Sequence, residues 1–166
     1  MIWTVKDQTD KKISEKVDKV KMWKGAVLVS LLGLCSSLTY HFGDGSYFTG
    51  AVDGEGRPRE GVQYGREEYV QYNGSYVGGE YHGEGSWYGE GGESYQGHFR
   101  GGEPSGRGVW TNGKTGEKVK GQFKNGTVSG EAVWYRPRLG VRLEGVFKRG
   151  HAHGEGEMIW DGTGYR

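Results

Sequence analysis

Large side chains and bare positions alternate along most of this chain. Phe48-x-Gly50-x-Val52 is followed by Tyr72-x-Gly74-x-Tyr76, Tyr95-x-Gly97-x-Phe99, Val119-x-Gly121-x-Phe123 and Leu143-x-Gly145-x-Phe147. A period of two argues strand and not helix, with the three positions of each run on one face. A second alternating run starts nine residues after four of these central glycines: Gly83-x-Gly85-x-Trp87, Gly106-x-Gly108-x-Trp110, Gly130-x-Ala132-x-Trp134 and Gly154-x-Gly156-x-Met158. Between the runs sit Gly79, Gly102, Gly126 and Gly150, where a turn needs positive φ. Each unit therefore predicts one β-hairpin. Asp44-Gly45, Asn112-Gly113 and Asp161-Gly162 are short turn signals between units.

The central glycines are 24, 23, 24 and 24 residues apart, the mark of a repeat array. The first unit is degenerate, with Glu55 and Arg59 where the others carry glycine. An isolated hairpin is only marginally stable, so the units must stack. Glycine weakens a strand unless a ring from a neighbouring strand lies over the bare backbone. Tyr, Phe, Trp and Gly are thus expected to form one packing system. Ten strands at about 4.8 Å would make a ribbon roughly 50 Å long.

The pattern Tyr-x-Gly-x-aromatic-x-x-Gly-x-x-x-Gly-x-Gly resembles the MORN (membrane occupation and recognition nexus) repeat. Tyr72 to Gly85 and Tyr95 to Gly108 match it best, and Val119 to Ala132 and Leu143 to Gly156 match with the first aromatic replaced. The resemblance covers roughly residues 47 to 166. It implies an elongated antiparallel sheet with a groove lined by the aromatic and glycine positions. MORN arrays occur in junctional membrane proteins, in ciliary and cytoskeletal proteins, and beside lipid kinase and lysine methyltransferase domains. The resemblance thus implies tethering or scaffolding, and fold analogy alone does not name a partner.

Composition adds two limits. With 34 glycines at fixed period and 13% aromatic residues, the chain is repeat architecture and not a disordered tract. The formal net charge of +1 gives no global signal for nucleic acid. The charge is uneven, however: residues 44–92 carry three Arg against nine acids, and residues 93–166 carry twelve basic residues against eight acids. The lone Cys35 excludes an intramolecular disulfide framework and a cysteine-rich zinc site, and fits a reducing compartment.

Residues 1–43 carry no repeat and form a separate segment ahead of the array at 44–166. Residues 6–24 hold seven Lys, with Ile13, Val17 and Val20 at helical spacing. Gly25 to Gly43 follows without a charged residue, and its apolar heart is Ala26 to Leu38. Two readings stand. One is a short helix or strand, with helix expected for the segment, that caps the first hairpin and covers its open edge. The other is a membrane anchor or signal peptide, against which the strongly apolar part is short of the ~20 residues needed to span. If the chain were secreted, Asn73-Gly74-Ser75 and Asn125-Gly126-Thr127 would match glycosylation sequons. Thr39 to Phe42 is expected to start the sheet.

Catalytic chemistry finds little support. Gly108 to Thr115 satisfies the P-loop expression, but that motif needs a following helix, and Glu117 to Phe123 leads into another strand. His151, His153, Glu155 and Glu157 alternate as metal ligands could. His82 and His153 share one repeat position, which argues for hydrogen-bonded histidines beside a turn instead. The sequence therefore predicts no catalytic residue, no metal and no cofactor. Glu84, Glu131 and Glu155 recur at one position, as an exposed sheet face would show.

Two candidate surfaces remain. Tyr76, Trp87, Phe99, Trp110, Phe123, Trp134 and Phe147 should line one face, either packed over glycine or completed by a partner helix or extended peptide. The basic residues Lys114, Lys118, Lys120, Lys124, Arg136 and Arg138 could instead meet an anionic membrane. The expected fold is all-β, a single elongated sheet of about five hairpins. The expected function is a cytoplasmic, non-enzymatic scaffold near a membrane or cytoskeletal structure. A lipid-recognising or membrane-tethered adaptor is the alternative, and self-association stays open.

Overall fold

The computed structural model describes residues 27–28 and 38–160. Among these, twelve strands form one antiparallel sheet in strict sequence order. They are β1 (Val27–Leu28), β2 (Leu38–His41), β3 (Tyr47–Val52), β4 (Pro58–Tyr64), β5 (Val70–Val77) and β6 (Glu80–Tyr88). They continue as β7 (Glu93–Arg100), β8 (Glu103–Asn112), β9 (Lys118–Lys124), β10 (Thr127–Arg136), β11 (Val141–Lys148) and β12 (His151–Trp160). A single 3-10 turn, Pro137–Leu139, links β10 and β11. Thr39 to His41 lies in β2 and pairs with β3 as the expected half-hairpin, but β1 precedes it as the first described strand of the sheet. In the apolar run, Val27–Leu28 is strand and pairs with β2, which is the strand form of the cap expected there. The rest of the amino-terminal segment, with the helix expected there, and the turn expected at Asp161-Gly162 lie outside the described residues. No helix among the described residues is long and apolar enough to cross a membrane.

The strand register explains why the glycines recur. Gly50, Gly61, Gly74, Gly85, Gly97, Gly108, Gly121, Ala132, Gly145 and Gly156 pair in turn, forming one row across β3 to β12. In the first three hairpins the ring two residues before the central glycine, Phe48, Tyr72 or Tyr95, folds back over this row. A Cβ placed on Gly74 would lie 2.6 Å from the Tyr72 hydroxyl oxygen, and one on Gly85 would lie 2.6 Å from Tyr72 Cζ. Phe48 does the same at Gly50 and Gly61, and Tyr95 at Gly108. Each ring thus sits over glycines of both strands of its own hairpin. The expected seating of a ring from the neighbouring strand holds at Gly61, Gly85 and Gly108; at Gly50 and Gly74 the ring comes instead from the glycine's own strand, two residues earlier.

The fourth hairpin shows the converse. Val119 replaces the ring, and Ala132 stands where the other hairpins have glycine. Removal of the ring leaves room for one methyl group. It leaves no room for two, because a Cβ on Gly121 would meet the Ala132 backbone at 2.6 Å.

The rings also touch one another across hairpin boundaries. Phe48 meets Tyr76, Tyr72 meets Phe99, and Tyr95 meets Phe123, with centroids 5.4, 5.1 and 4.9 Å apart and planes at 84°, 90° and 75°. Within hairpins, Tyr72–Tyr76 and Tyr95–Phe99 close the chain of edge contacts, each at 5.1 Å. Edge-to-face geometry suits the ring quadrupoles and adds to the burial of area. The run ends at Val119. Beyond it only Trp134 approaches Phe147, at 6.2 Å, and every residue of β12 is exposed.

A register shift interrupts each full hairpin after its glycine pair, as at Gly74/Ser75 and Gly97/Phe99. The glycines that open the second run, Gly83, Gly106, Gly130 and Gly154, take φ of 64°, 86°, 115° and 74° there. The alternating pattern assigned them to a strand face; they also serve as bulge residues, where an L side chain would be strained. The bulge gives the ring hydroxyls their acceptors. Tyr72 donates to the Ser75 carbonyl at 3.0 Å and Tyr95 to that of His98 at 3.2 Å. Gly79, Gly102, Gly126 and Gly150 occupy the hairpin turns with positive φ, as expected. The degenerate first hairpin turns at Gly56, with φ 76°, while the Asp53 carboxylate accepts the amides of Glu55 and Arg57. Asn112-Gly113 opens a longer connection instead of a two-residue loop: the Asn112 side chain accepts the amides of Lys114 and Thr115, both at 3.0 Å.

Candidate functional site: the aromatic face

The seven aromatic residues expected along one face divide into two sets. Tyr76, Phe99, Phe123 and Phe147 are buried within the sheet's own core. They pack against rings and strands of adjacent hairpins, so their surface is already spent on the scaffold. Trp87, Trp110 and Trp134 are half-buried and pack against that core from one side. Their strand partners are Tyr72, Tyr95 and Val119, which places one indole on every second strand. At about 4.8 Å per strand the indoles recur at roughly 10 Å along the ribbon. Over Trp134 lies the Arg136 guanidinium, 4.0 Å from the ring centroid, and Arg136 Nε is 3.5 Å from a Glu117 oxygen.

Sequence reasoning missed Tyr81. It follows the turn glycine by two residues and pairs with Tyr76, stacking on Tyr72 at 3.8 Å and 7°. Pro104, Val128 and Ala152 hold the equivalent place opposite Phe99, Phe123 and Phe147. The signal was the recurring apolar residue at that spacing, visible once the bulge fixes the register. Tyr76 and Tyr81 line an open cavity of about 380 Å³ with Phe42, Pro58 and Gln63. Tyr81 donates to Gln63 Oε1 at 3.4 Å. The Tyr76 hydroxyl is buried with no hydrogen-bond partner among the described residues, which is costly to leave so.

Burial controls the acidity of these phenols. It pushes Tyr72, Tyr81 and Tyr95 up to about 12 from the usual 10, with smaller contributions from Tyr81, Tyr69 and Glu84 respectively. Tyr76 is raised further, again by burial first. The folded chain holds these protons more tightly, so the unfolded chain releases them first as pH rises. Stability from this source is complete below pH 10 and is lost as pH climbs from 10 toward 12. Absorbance at 295 nm is expected to show a late-titrating set of tyrosines, ionising together with loss of the β-sheet circular dichroism. Full ionisation near pH 10 with the sheet intact would contradict this burial.

The basic residues do not form one surface. Lys118, Lys120 and Lys124 project from β9 on the face opposite the buried Val119 and Phe123. Arg136 lies over Trp134 on the aromatic face, and Arg138 donates to the Lys114 carbonyl at 2.8 Å among the connecting turns. The polar face is held by cross-strand contacts such as His98 Nε2 to Glu84 Oε1 at 2.7 Å, and Glu84, Glu131 and Glu155 are exposed on it as expected.

The segment resembling a P-loop is the end of β8 and its turn, and a strand follows it. His151 and His153 belong to the start of β12, directly after the turn, and both are exposed; His151 is in the strand and not in the connection. Among the described residues, no group of three or more His, Cys, Asp or Glu is placed to hold a metal ion. No protein-family model matches the sequence, and no curated protein matches it at a significant level.

Proposed function

We propose that this chain is a non-enzymatic scaffold of the MORN type that grips a helical or extended segment of a partner protein along Trp87, Trp110 and Trp134. The row of half-buried indoles carries this reading. Each is anchored at one edge in the aromatic core and keeps the other edge accessible, as interface aromatics do. A recurrence of roughly 10 Å suits a helix presenting a side chain every second turn, or an extended peptide in the polyproline II form presenting one every third residue. The work of such a scaffold is tethering, in the cytoplasm beside a membrane or cytoskeletal structure.

Replacing Trp110 by Ala is expected to weaken partner binding about tenfold or more, the usual range for a central aromatic anchor. The thermal midpoint should fall only modestly, because the ring is half-exposed. The check is affinity capture with quantitative mass spectrometry, wild type against Trp110→Ala, alongside circular dichroism of both. Partners retained at wild-type levels by a folded Trp110→Ala, Trp134→Ala double variant would refute the indole row as the binding face.

A further inference from the structure

The outer edge of β12 carries no strand among the described residues. All ten of its residues are exposed, Met158 at 68% and Trp160 at 67%. Elsewhere in the sheet the same kind of edge is covered by the same kind of strand. β6 sets Gly83, Gly85 and Trp87 against Phe99, Gly97 and Tyr95 of β7. β8 sets Gly106, Gly108 and Trp110 against Phe123, Gly121 and Val119, and β10 sets Gly130, Ala132 and Trp134 against Phe147, Gly145 and Leu143. None of these three junctions contains a register shift. β12 offers Gly154, Gly156 and Met158 at the same spacing, and Gly154 has the positive φ of its counterparts.

We propose that the β12 edge docks an added antiparallel strand from a separate polypeptide with the sequence apolar-x-Gly-x-Phe. The phenyl ring lies opposite Gly154, the glycine opposite Gly156 and the first apolar side chain opposite Met158. The residue after the glycine faces Glu155. At the matching place in the sheet, Glu84 holds His98, so a basic side chain fits there. Main-chain pairing supplies the attraction, and the ring-on-glycine fit supplies the selectivity. A second β12 is a poor occupant. Antiparallel registers centred on residues 155 to 157 set Glu155 or Glu157 against a carboxylate of the other copy, which is unfavourable.

The probe is a fluorescein-labelled peptide of residues 93–100, which is β7 itself and places Tyr95, Gly97, His98 and Phe99 as required. It is titrated with the full 166-residue chain and followed by anisotropy. Saturable one-to-one binding is expected. It should weaken about tenfold when Met158→Lys sets a charge opposite the tyrosine, and similarly when Tyr95 and Phe99 of the peptide are both alanine. Met158 is exposed, so Met158→Lys keeps the fold, and Trp110→Ala should leave peptide binding unchanged, which separates this edge from the indole row. The proposal is overturned if a folded, monomeric chain does not bind the peptide, or if Met158→Lys binds it as the wild type does. It is equally overturned if sedimentation shows a stable dimer that excludes the peptide.

Discussion

Phe99→Ala is expected to cost about 4 kcal/mol, the upper part of the range for deleting a buried phenylalanine. Phe99 is only 4% exposed and stands at the boundary between two hairpins. Its ring meets Tyr72 and Tyr81 of one hairpin and Tyr95 of its own, at 5.1, 5.9 and 5.1 Å. Loss of the ring therefore removes core and junction together. Stability in an array is the sum of each unit and its interfaces with neighbours, so a weakened interface uncouples the units on either side. Urea unfolding of Phe99→Ala should show a lower midpoint and a shallower or divided transition. Phe147→Ala, near the end of the ring chain, should cost less and leave the transition single. A sharp wild-type slope in Phe99→Ala would argue that the junction contributes little to cooperativity.

Much of this fold is legible in the sequence because a single rule, a large side chain near a bare backbone, repeats every 23 or 24 residues. The alternation at Tyr72, Gly74 and Tyr76 gives the strand, and the turn glycines give the hairpin. Several features needed the register. Gly83 and Gly106 look like ordinary members of a strand face, yet their positive φ places them in bulges. Periodicity cannot distinguish the two roles, because a bulge that adds two residues preserves alternation. The same blindness hid Tyr81. The candidate site was legible as a set of rings but not as a division among them. A strand pattern says which side chains share a face, and it does not say which of them the neighbouring hairpin covers. Tyr76, Phe99, Phe123 and Phe147 are covered, and the three tryptophans are covered in part. The basic residues misled for the opposite reason: nearness along the chain at residues 114–138 is not nearness on a surface when strands and turns point them three ways.

Gly108→Ala is the second large effect. Gly108 has an ordinary extended backbone, so the substitution brings no conformational strain of its own. In a less crowded strand it would be neutral or mildly stabilising through the unfolded state. Here the added methyl meets the Tyr95 ring, with Cε2 at 2.6 Å, and Tyr95 is buried with its hydroxyl tied to the His98 carbonyl. The ring has nowhere to go without breaking that bond and pressing on Phe99 and Phe123. Overpacking of this kind costs about 2–3 kcal/mol. Gly85→Ala against Tyr72 should behave alike, since Tyr72 contacts the corresponding backbone. At Gly121 the same addition would clash with Ala132 instead, so no single ring explains that position.

The decisive measurement is a double-mutant cycle in urea unfolding that combines Gly108→Ala with Tyr95→Val, the pair of residues that the fourth hairpin already carries as Val119 and Ala132. Seating of rings on glycine predicts a reversal: the alanine costs about 2–3 kcal/mol beneath tyrosine and nothing, or slightly less than nothing, beneath valine. Equal cost in both backgrounds would show that the glycine row is required by the backbones alone, and would contradict the claim that the rings are what the bare positions accommodate.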